Sequence, residues 1–450
     1  MIDWTRTLPH PLLAARASNG RTPAVVADDG EWSYESLVHA VRCRASGLVE
    51  SGVSEGDRVG LSMRRLGDDL ITLHAIGWIG ACAVPLPDGS LASSALANRL
   101  GVDHWVEGSV DGRADNAPPA APWRLDDLRL VIATSGSTGE PKVVEITTSQ
   151  LVFSAFGSAM RLGHLPGDRW LAVLPMHHIG GLSIAMRCLF AATTIELHKR
   201  FDEQRVVDAL VQGTITQVSL VPTMLDRVLE RLSGAAIHAS VRTILLGGAK
   251  PSDALVERAQ AHRLPVAVTW GMSETASQVA TIPVGEPHGH APPLVFMEVT
   301  SEAERLVVRG PAAAGVCVTG DRGQLDALGR VRVTGRADSI IISGGENIDP
   351  TEITRVLCQH PDIARAYVVG IPDSIYGERP AAALIAAGER QPPAVELRAF
   401  CRQKLDSFKV PDRILWLHEE PMNETGKVRF AELKEWLSRV ERSEIDGESL

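Results

Sequence analysis

Short, almost uninterrupted apolar runs alternate along the chain with longer segments in which apolar residues return every three or four positions. The runs LRLVIAT (128–134), RWLAVLP (169–175), TQVSLVP (216–222) and VRTILLG (241–247) read as strands buried on both faces. That is the pattern of a parallel or mixed sheet covered by helices. Between them, FDEQRVVDALVQ and PSDALVERAQAH carry helical spacing, the second with Ser252 placed as an N-cap before Asp253. The fold class is therefore α/β. The longest nearly apolar stretch, Ile71 to Val84, contains His74 and glycines. It falls short of the roughly 20 residues a bilayer span needs and reads as a buried helix passing into a strand.

Two breaks interrupt the alternation. EGSVDGRADNAPPAAPWRLDD, residues 107–127, is rich in Pro, Ala and charge and reads as a surface run. The second break lies near 335–338. Beyond it comes a compact series: strand SIIIS, turn GGENIDP, helix TEITRVLCQH, strand ARAYVVGI, then ALIAA and helix AVELRAFCRQKL. The expected organisation is a large N-terminal domain of helix-covered sheet subdomains over 1–337 and a small α+β domain over 338–450. The last residues, ERSEIDGESL, are acidic without apolar periodicity and read as a frayed tail. No internal repeat is evident.

Composition narrows the partners. Among 450 residues, 44% are apolar and 22% charged, which excludes wholesale disorder. With 45 basic against 55 acidic side chains the formal net charge is −10, which argues against nucleic acid as the main partner. A local basic pocket for a small anion stays open. The six cysteines have no paired spacing and read as reduced thiols of a cytoplasmic protein. The N-terminus lacks the uninterrupted apolar core of a secretory signal, and no stable membrane insertion is expected.

Four segments carry chemistry. Thr134-Ser135-Gly136-Ser137-Thr138-Gly139-Glu140-Pro141-Lys142 follows directly on an apolar strand. Its glycines and hydroxyls let backbone N–H groups and side chains converge on phosphate oxygens, and Lys142 adds a cation. Neither GxxxxGK[ST] nor GxGxxG can be laid over it. Next, Trp270-Gly271-Met272-Ser273-Glu274-Thr275 offers a ring to stack on a base and a carboxylate suited to magnesium beside phosphates. Taken alone it fits equally a helix start with Ser273 as N-cap. Third, Thr319-Gly320-Asp321 presents a carboxylate that can accept from both ribose hydroxyls, and Gly335-Arg336-Ala337-Asp338 follows; a turn aspartate with a surface ion pair is the plain alternative. Last, Asn423-Glu424-Thr425-Gly426-Lys427 sets a lysine after a tight turn, which alone would be solvated surface.

In this order and at these separations the four segments resemble the adenylate-forming superfamily of acyl-CoA ligases, adenylation domains and luciferases, over about residues 20 to 435. The resemblance implies a carboxylate activated by ATP and then transferred to coenzyme A, with Mg²⁺ held by Glu274 and catalysis by Lys427 and Glu274. It implies that Thr134 to Gly139 and Lys142 grip phosphate. Gly248, Ala249, Trp270, Gly271 and Ser273 would hold the rest of the nucleotide, with Asp321 and Arg336 on its ribose. Asp338 would be the hinge of a mobile C-terminal domain, and Gly344, Gly345 and Glu346 would line the coenzyme A channel. LPMHHIGGLSIAMRCL, LLGGAKPS, WGMSETASQ and GIPDSIYGERP further resemble the branch that activates 2-succinylbenzoate for menaquinone biosynthesis.

For that acid, His178, Gly181, Arg187 and Gly247 are the expected acyl-site residues, with Arg187 facing a second carboxylate. A snorkelling or ion-paired arginine is the alternative. The family usually has Tyr or Phe where Trp270 stands and Thr where Ser273 stands. Other readings are a benzoate- or anthranilate-type ligase, an enzyme loading a carrier protein, and a nucleotide-binding sensor without turnover. A homodimer is compatible with the sequence.

Overall fold

The computed structural model describes residues 6–88, 94–106, 108–135, 141–303, 305–336, 339–344, 346–423 and 428–439. Gly136 to Gly139, Asp338, Gly345, Lys427 and the acidic tail 441–450 lie outside them.

The apolar runs form strands where their patterning places them, and they assemble into two large sheets. In the first, neighbours run Ser277–Thr281, Val266–Met272, Thr243–Leu246, Gln217–Leu220, Arg169–Ala172, Thr194–Leu197, Pro23–Ala27 and Gly30–Ser33. Its interior pairings are parallel and both edge pairings antiparallel. The second sheet orders His104–Val106, Arg58–Ser62, Cys82–Leu86, Leu128–Ser135 and Pro141–Thr147, the last two as an antiparallel hairpin. Helices cover these sheets as the apolar strand faces require. The stretch from Ile71 is the helix Gly67–Ile79 running into the strand Cys82–Leu86. Ser252 caps the helix Asp253–Ala261, its Oγ accepting from the Leu255 N–H at 3.2 Å.

An antiparallel sheet of Glu298–Glu302, Arg305–Gly310, Gly315–Leu325 and Val331–Arg336 follows. The series beyond residue 338 forms a further sheet, in which Gly377–Ala386 pairs antiparallel with Ile363–Asp373 and parallel with Arg413–Trp416. Ile341, Ile353, Leu357, Ile363, Leu384 and Leu397 fill a core of their own there.

The segment 108–127 runs over the surface, exposed or half-buried apart from Trp123, and it is anchored there. Arg44, buried on the helix Tyr34–Glu50, donates to Asp111 and Asp68 at 2.6 Å each and to Ser109 at 2.8 Å. A buried guanidinium is costly without anionic partners, so this pairing pins the segment to the helix. Trp123 is buried in the main core as well.

Candidate active site

The parallel strands of the first sheet end side by side, and the chain's chemistry gathers at those carboxyl ends, where open α/β sheets present ligands. Leu246 pairs with Val268, so Gly247, Gly248 and Ala249 leave their strand beside Trp270. Trp270 donates its indole N–H to Asp321 Oδ2 at 2.8 Å. Neither Tyr nor Phe at this position carries a ring N–H, so the departure from the family pattern gains a physical role: the indole orients the Asp321 carboxylate. Arg336 stands opposite Asp321 in the antiparallel register, with Nη1 at 3.3 Å from Oδ1.

The turn after Trp270 is tightly specified. A Cβ on Gly271 would lie 1.8 Å from the Ser277 carbonyl oxygen, so only glycine allows the two strands to close here. Ser273–Thr275 is a single 3₁₀ turn whose N-cap is Met272. The N-cap alternative for Ser273 therefore fails, because the chain turns back at Ala276 into an antiparallel strand instead of continuing as a helix. Gln150 Nε2 donates to the Glu274 carbonyl at 2.9 Å and to that of Ala312 at 3.3 Å, bracing the turn from outside.

The side chain of Glu274 meets Lys142 Nζ at 2.5 Å. Burial opposes ionisation of this carboxyl, but the Lys142 ammonium, a backbone N–H and the Arg336 charge together outweigh it and hold the group below its ordinary value. An ionised oxygen donor of this kind fits a magnesium ion beside phosphates. Lys142 lies opposite Thr134 across the hairpin, and the Thr134 hydroxyl donates to the Lys142 carbonyl at 3.4 Å. Ser135 ends its strand. The backbone thus places both ends of the phosphate-type loop within reach of the Glu274 turn.

A second group sits on the helix Ile179–Ala191. His178 is its N-cap residue, and the His177 and His178 rings lie 4.2 Å apart. Gly181 lets the first turn press on the preceding segment, since a Cβ there would come within 2.5 Å of the Pro175 carbonyl oxygen. Further along, Arg187 is only 2% exposed. Its Nη2 donates to Ser277 Oγ at 2.9 Å, and its guanidinium carbon lies 5.1 Å from the Trp170 ring centroid. No carboxylate among the described residues pairs with it, and Nε has no hydrogen-bond partner there. Burial lowers its pKa to about 10, which still leaves it cationic at neutral pH.

Gly344 and Glu346 lie in the C-terminal unit, where the Gly344 N–H donates to the Tyr376 carbonyl at 2.8 Å. Met422 and Val428 bridge antiparallel on either side of 424–427. Gln150 and Ser277 lie outside the four chemistry-bearing segments of the sequence. Gln150 was legible as part of a Thr147-x-x-Gln150 capping box, which the structure forms. Ser277 lies within the segment WGMSETASQ, but nothing in that pattern marks its hydroxyl as a partner of Arg187.

Fold and site together define an adenylate-forming enzyme. The AMP-binding enzyme family matches residues 13–102 and 91–321, and the AMP-binding enzyme C-terminal domain matches 352–427. The chain belongs to the AMP-binding enzyme family. It is 33% identical to the 2-succinylbenzoate–CoA ligase of Geobacillus kaustophilus, covering 91% of this chain and 94% of the relative. To the 2-succinylbenzoate–CoA ligase of Listeria monocytogenes it is 31% identical, over 92% of this chain and 96% of the relative. Among solved structures, the Bacillus subtilis o-succinylbenzoate CoA synthetase in complex with the acyl-adenylate intermediate superposes with a TM-score of 0.83 at 28% identity, covering 98% and 99% of the two chains. The same enzyme with ATP and magnesium ion gives 0.82 at 29% identity, over 96% and 99%. Among the described residues no helix is long and apolar enough to cross a membrane.

Proposed function

We propose that this chain is an AMP-forming 2-succinylbenzoate–CoA ligase of the cytoplasm. The observation that carries the substrate is Arg187, a buried guanidinium with no carboxylate partner among the described residues. A buried cation of this kind is stabilised by an anion brought to it, and an acid with two carboxylates leaves one free after the other reacts. The relatives named above support the same acid.

The reaction has two halves. One carboxylate oxygen of the acid attacks the α-phosphorus of ATP, forming the acyl–phosphate bond as pyrophosphate leaves. The coenzyme A thiol then attacks the acyl carbon, forming the thioester as AMP leaves and the thiol proton is released. In the first half two anions must meet, so the protein contributes positioning and charge neutralisation. Lys427 bridges the reacting carboxylate and α-phosphate, while Thr134 to Gly139 and Lys142 hold the outer phosphates. Glu274 is the residue that would hold Mg²⁺, which neutralises phosphate charge when bound. Trp270, Gly271, Ser273 and the Gly247-Gly248-Ala249 turn flank the base. Asp321, oriented by Trp270 and Arg336, takes the ribose hydroxyls. His178, Gly181, Gly247 and Arg187 frame the acid.

For the second half, the C-terminal unit from residue 338 onward turns about Asp338. That motion withdraws Lys427 and brings Gly344, Gly345 and Glu346 to the coenzyme A channel. The test is Lys427→Ala, assayed for each half separately. Pyrophosphate release should fall by about a thousandfold, whereas thioester formation from supplied acyl-adenylate should stay within a fewfold. Equal loss of both halves in a folded variant would refute the two-conformation reading.

A further inference from the structure

Ser277 is the one hydrogen-bond partner of the Arg187 guanidinium among the described residues. It is also conformationally costly. Its φ is +123° and that of Ala276 is +51°, values that side-chain-bearing residues seldom adopt. Three contacts enforce this backbone: the Thr275 hydroxyl shares its proton between the carbonyls of Met272 (3.1 Å) and Ser277 (3.2 Å), and the Ser154 hydroxyl donates to the Ala276 carbonyl (2.8 Å). Gly271 makes room for the same Ser277 carbonyl. One short strained turn therefore carries Glu274 toward the phosphate end and the Ser277 hydroxyl toward the acyl helix.

We propose that Ser277 is a positioning residue for acid specificity: its hydroxyl fixes one arm of the Arg187 guanidinium so that the rest faces the second carboxylate of the acid. The inference rests on the reading of Arg187 given above. With one arm held by Ser277 and its carbon over the Trp170 ring, the guanidinium is restrained at two points. That preorganisation lowers the cost of ordering it when the acid binds. Because Ser277 shares its turn with Glu274, the spacing between acid anchor and phosphate site is set by one rigid element.

The experiment compares steady-state kinetics of Ser277→Ala, Ser277→Gly, Arg187→Ala and the Ser277→Ala/Arg187→Ala double variant. The acids are 2-succinylbenzoate and its analogue with the non-reacting carboxylate replaced by a carboxamide. Both Ser277 variants should raise KM for the dicarboxylate about tenfold, with much smaller changes in kcat, in KM for ATP and in KM for the carboxamide. Ser277→Ala should add nothing once Arg187 is absent. Glycine relieves the strained φ, so a Ser277→Gly enzyme with unchanged KM would assign any alanine effect to the backbone and overturn the proposal. Uniform losses in kcat, ATP affinity and Tm for both acids would reduce Ser277 to a structural role and overturn it too. If Arg187→Ala leaves KM for the dicarboxylate unchanged, the reading of Arg187 itself fails. If Arg187→Ala is impaired while Ser277→Ala is not, only the role of Ser277 falls.

Discussion

At the nucleotide end of the site, Lys142 and Glu274 face each other at 2.5 Å and Arg336 sits 3.3 Å from Asp321. On the helix Ile179–Ala191, Arg187 is buried against Trp170 with a serine hydroxyl and, among the described residues, no carboxylate beside it. The first arrangement has its charges mutually neutralised and near solvent, with Lys142 and Glu274 side chains 59% and 32% exposed. Pairs of that kind contribute up to about 1 kcal/mol and exchange partners easily. The second keeps a charge desolvated and uncompensated, a state that costs stability until an anion arrives. In the proposed reaction, such pairs at the nucleotide end would give way to phosphates at little cost and re-form once pyrophosphate and AMP leave. In the function proposed above, the acyl end would act as a fixed selector for an acid with a second carboxylate.

The contrast breaks most visibly at Arg187. Replacing it with Met, which roughly preserves volume, should raise KM for 2-succinylbenzoate by about a hundredfold and leave the carboxamide analogue nearly unaffected. Thermal denaturation should show a Tm equal to or above that of the parent, because the substitution removes a desolvated charge. A large drop in Tm would mean that Arg187 holds the fold together and does not wait for substrate. Next in size is Lys142→Ala, expected to raise KM for ATP about tenfold and to change stability by less than about 1 kcal/mol. A loss of several kcal/mol in denaturant titration would show that the Lys142–Glu274 pair is structural and that the two ends are alike.

Acidification tests the acyl end independently. Burial, reinforced by the Arg187 charge, brings His164 down from 6.5 to about 4, and neither ring nitrogen has a hydrogen-bond partner among the described residues. Below pH 6.5 the unfolded chain binds a proton that the folded protein refuses until about pH 4. Stability is therefore complete above the unfolded value and falls as pH drops through that window. His164→Phe should flatten this part of the Tm-versus-pH curve. An unchanged slope would remove His164 from the acyl side's electrostatics.

The two ends also differ in how far residues alone disclosed them. Phosphate-loop, ribose and lysine motifs are contiguous, so Thr134 to Lys142, Glu274, Asp321 and Lys427 stand out as candidates in the sequence, although 136–140 and Lys427 lie outside the described residues. Strand runs such as TQVSLVP and VRTILLG were equally readable, since burial on both faces leaves a continuous apolar record. What sequence could not disclose depended on distant segments meeting. Arg187 and Ser277 are 90 positions apart, and Trp270 reaches Asp321 across 51. The pinning of 107–127 by Arg44 was hidden for the same reason: a Pro-rich, charged stretch gives no sign that one of its aspartates neutralises a buried cation elsewhere.

The smallest expected effect concerns the junction between the N-terminal body and the C-terminal unit, where the contrast between exchangeable and fixed charges recurs. Arg365, on the strand Ile363–Asp373, reaches Asp226 and Glu420 at 2.6 Å each, and Asp226 also accepts from Arg258 at 2.5 Å. Asp226 belongs to the helix Pro222–Leu232, so this acidic group is shared between an arginine of its own body and one of the other unit. If the C-terminal unit turns between the half-reactions, the Arg365 contact must break while Arg258 keeps Asp226 paired, which makes the exchange cheap. Arg365→Ala should therefore shift the balance between adenylation and thioester formation by only two- to threefold and cost less than about 1 kcal/mol of stability. The check is single-turnover measurement of both halves on the same preparation. A change exceeding tenfold in one half would show that this pair latches the unit, placing it with the fixed charges of the acyl end.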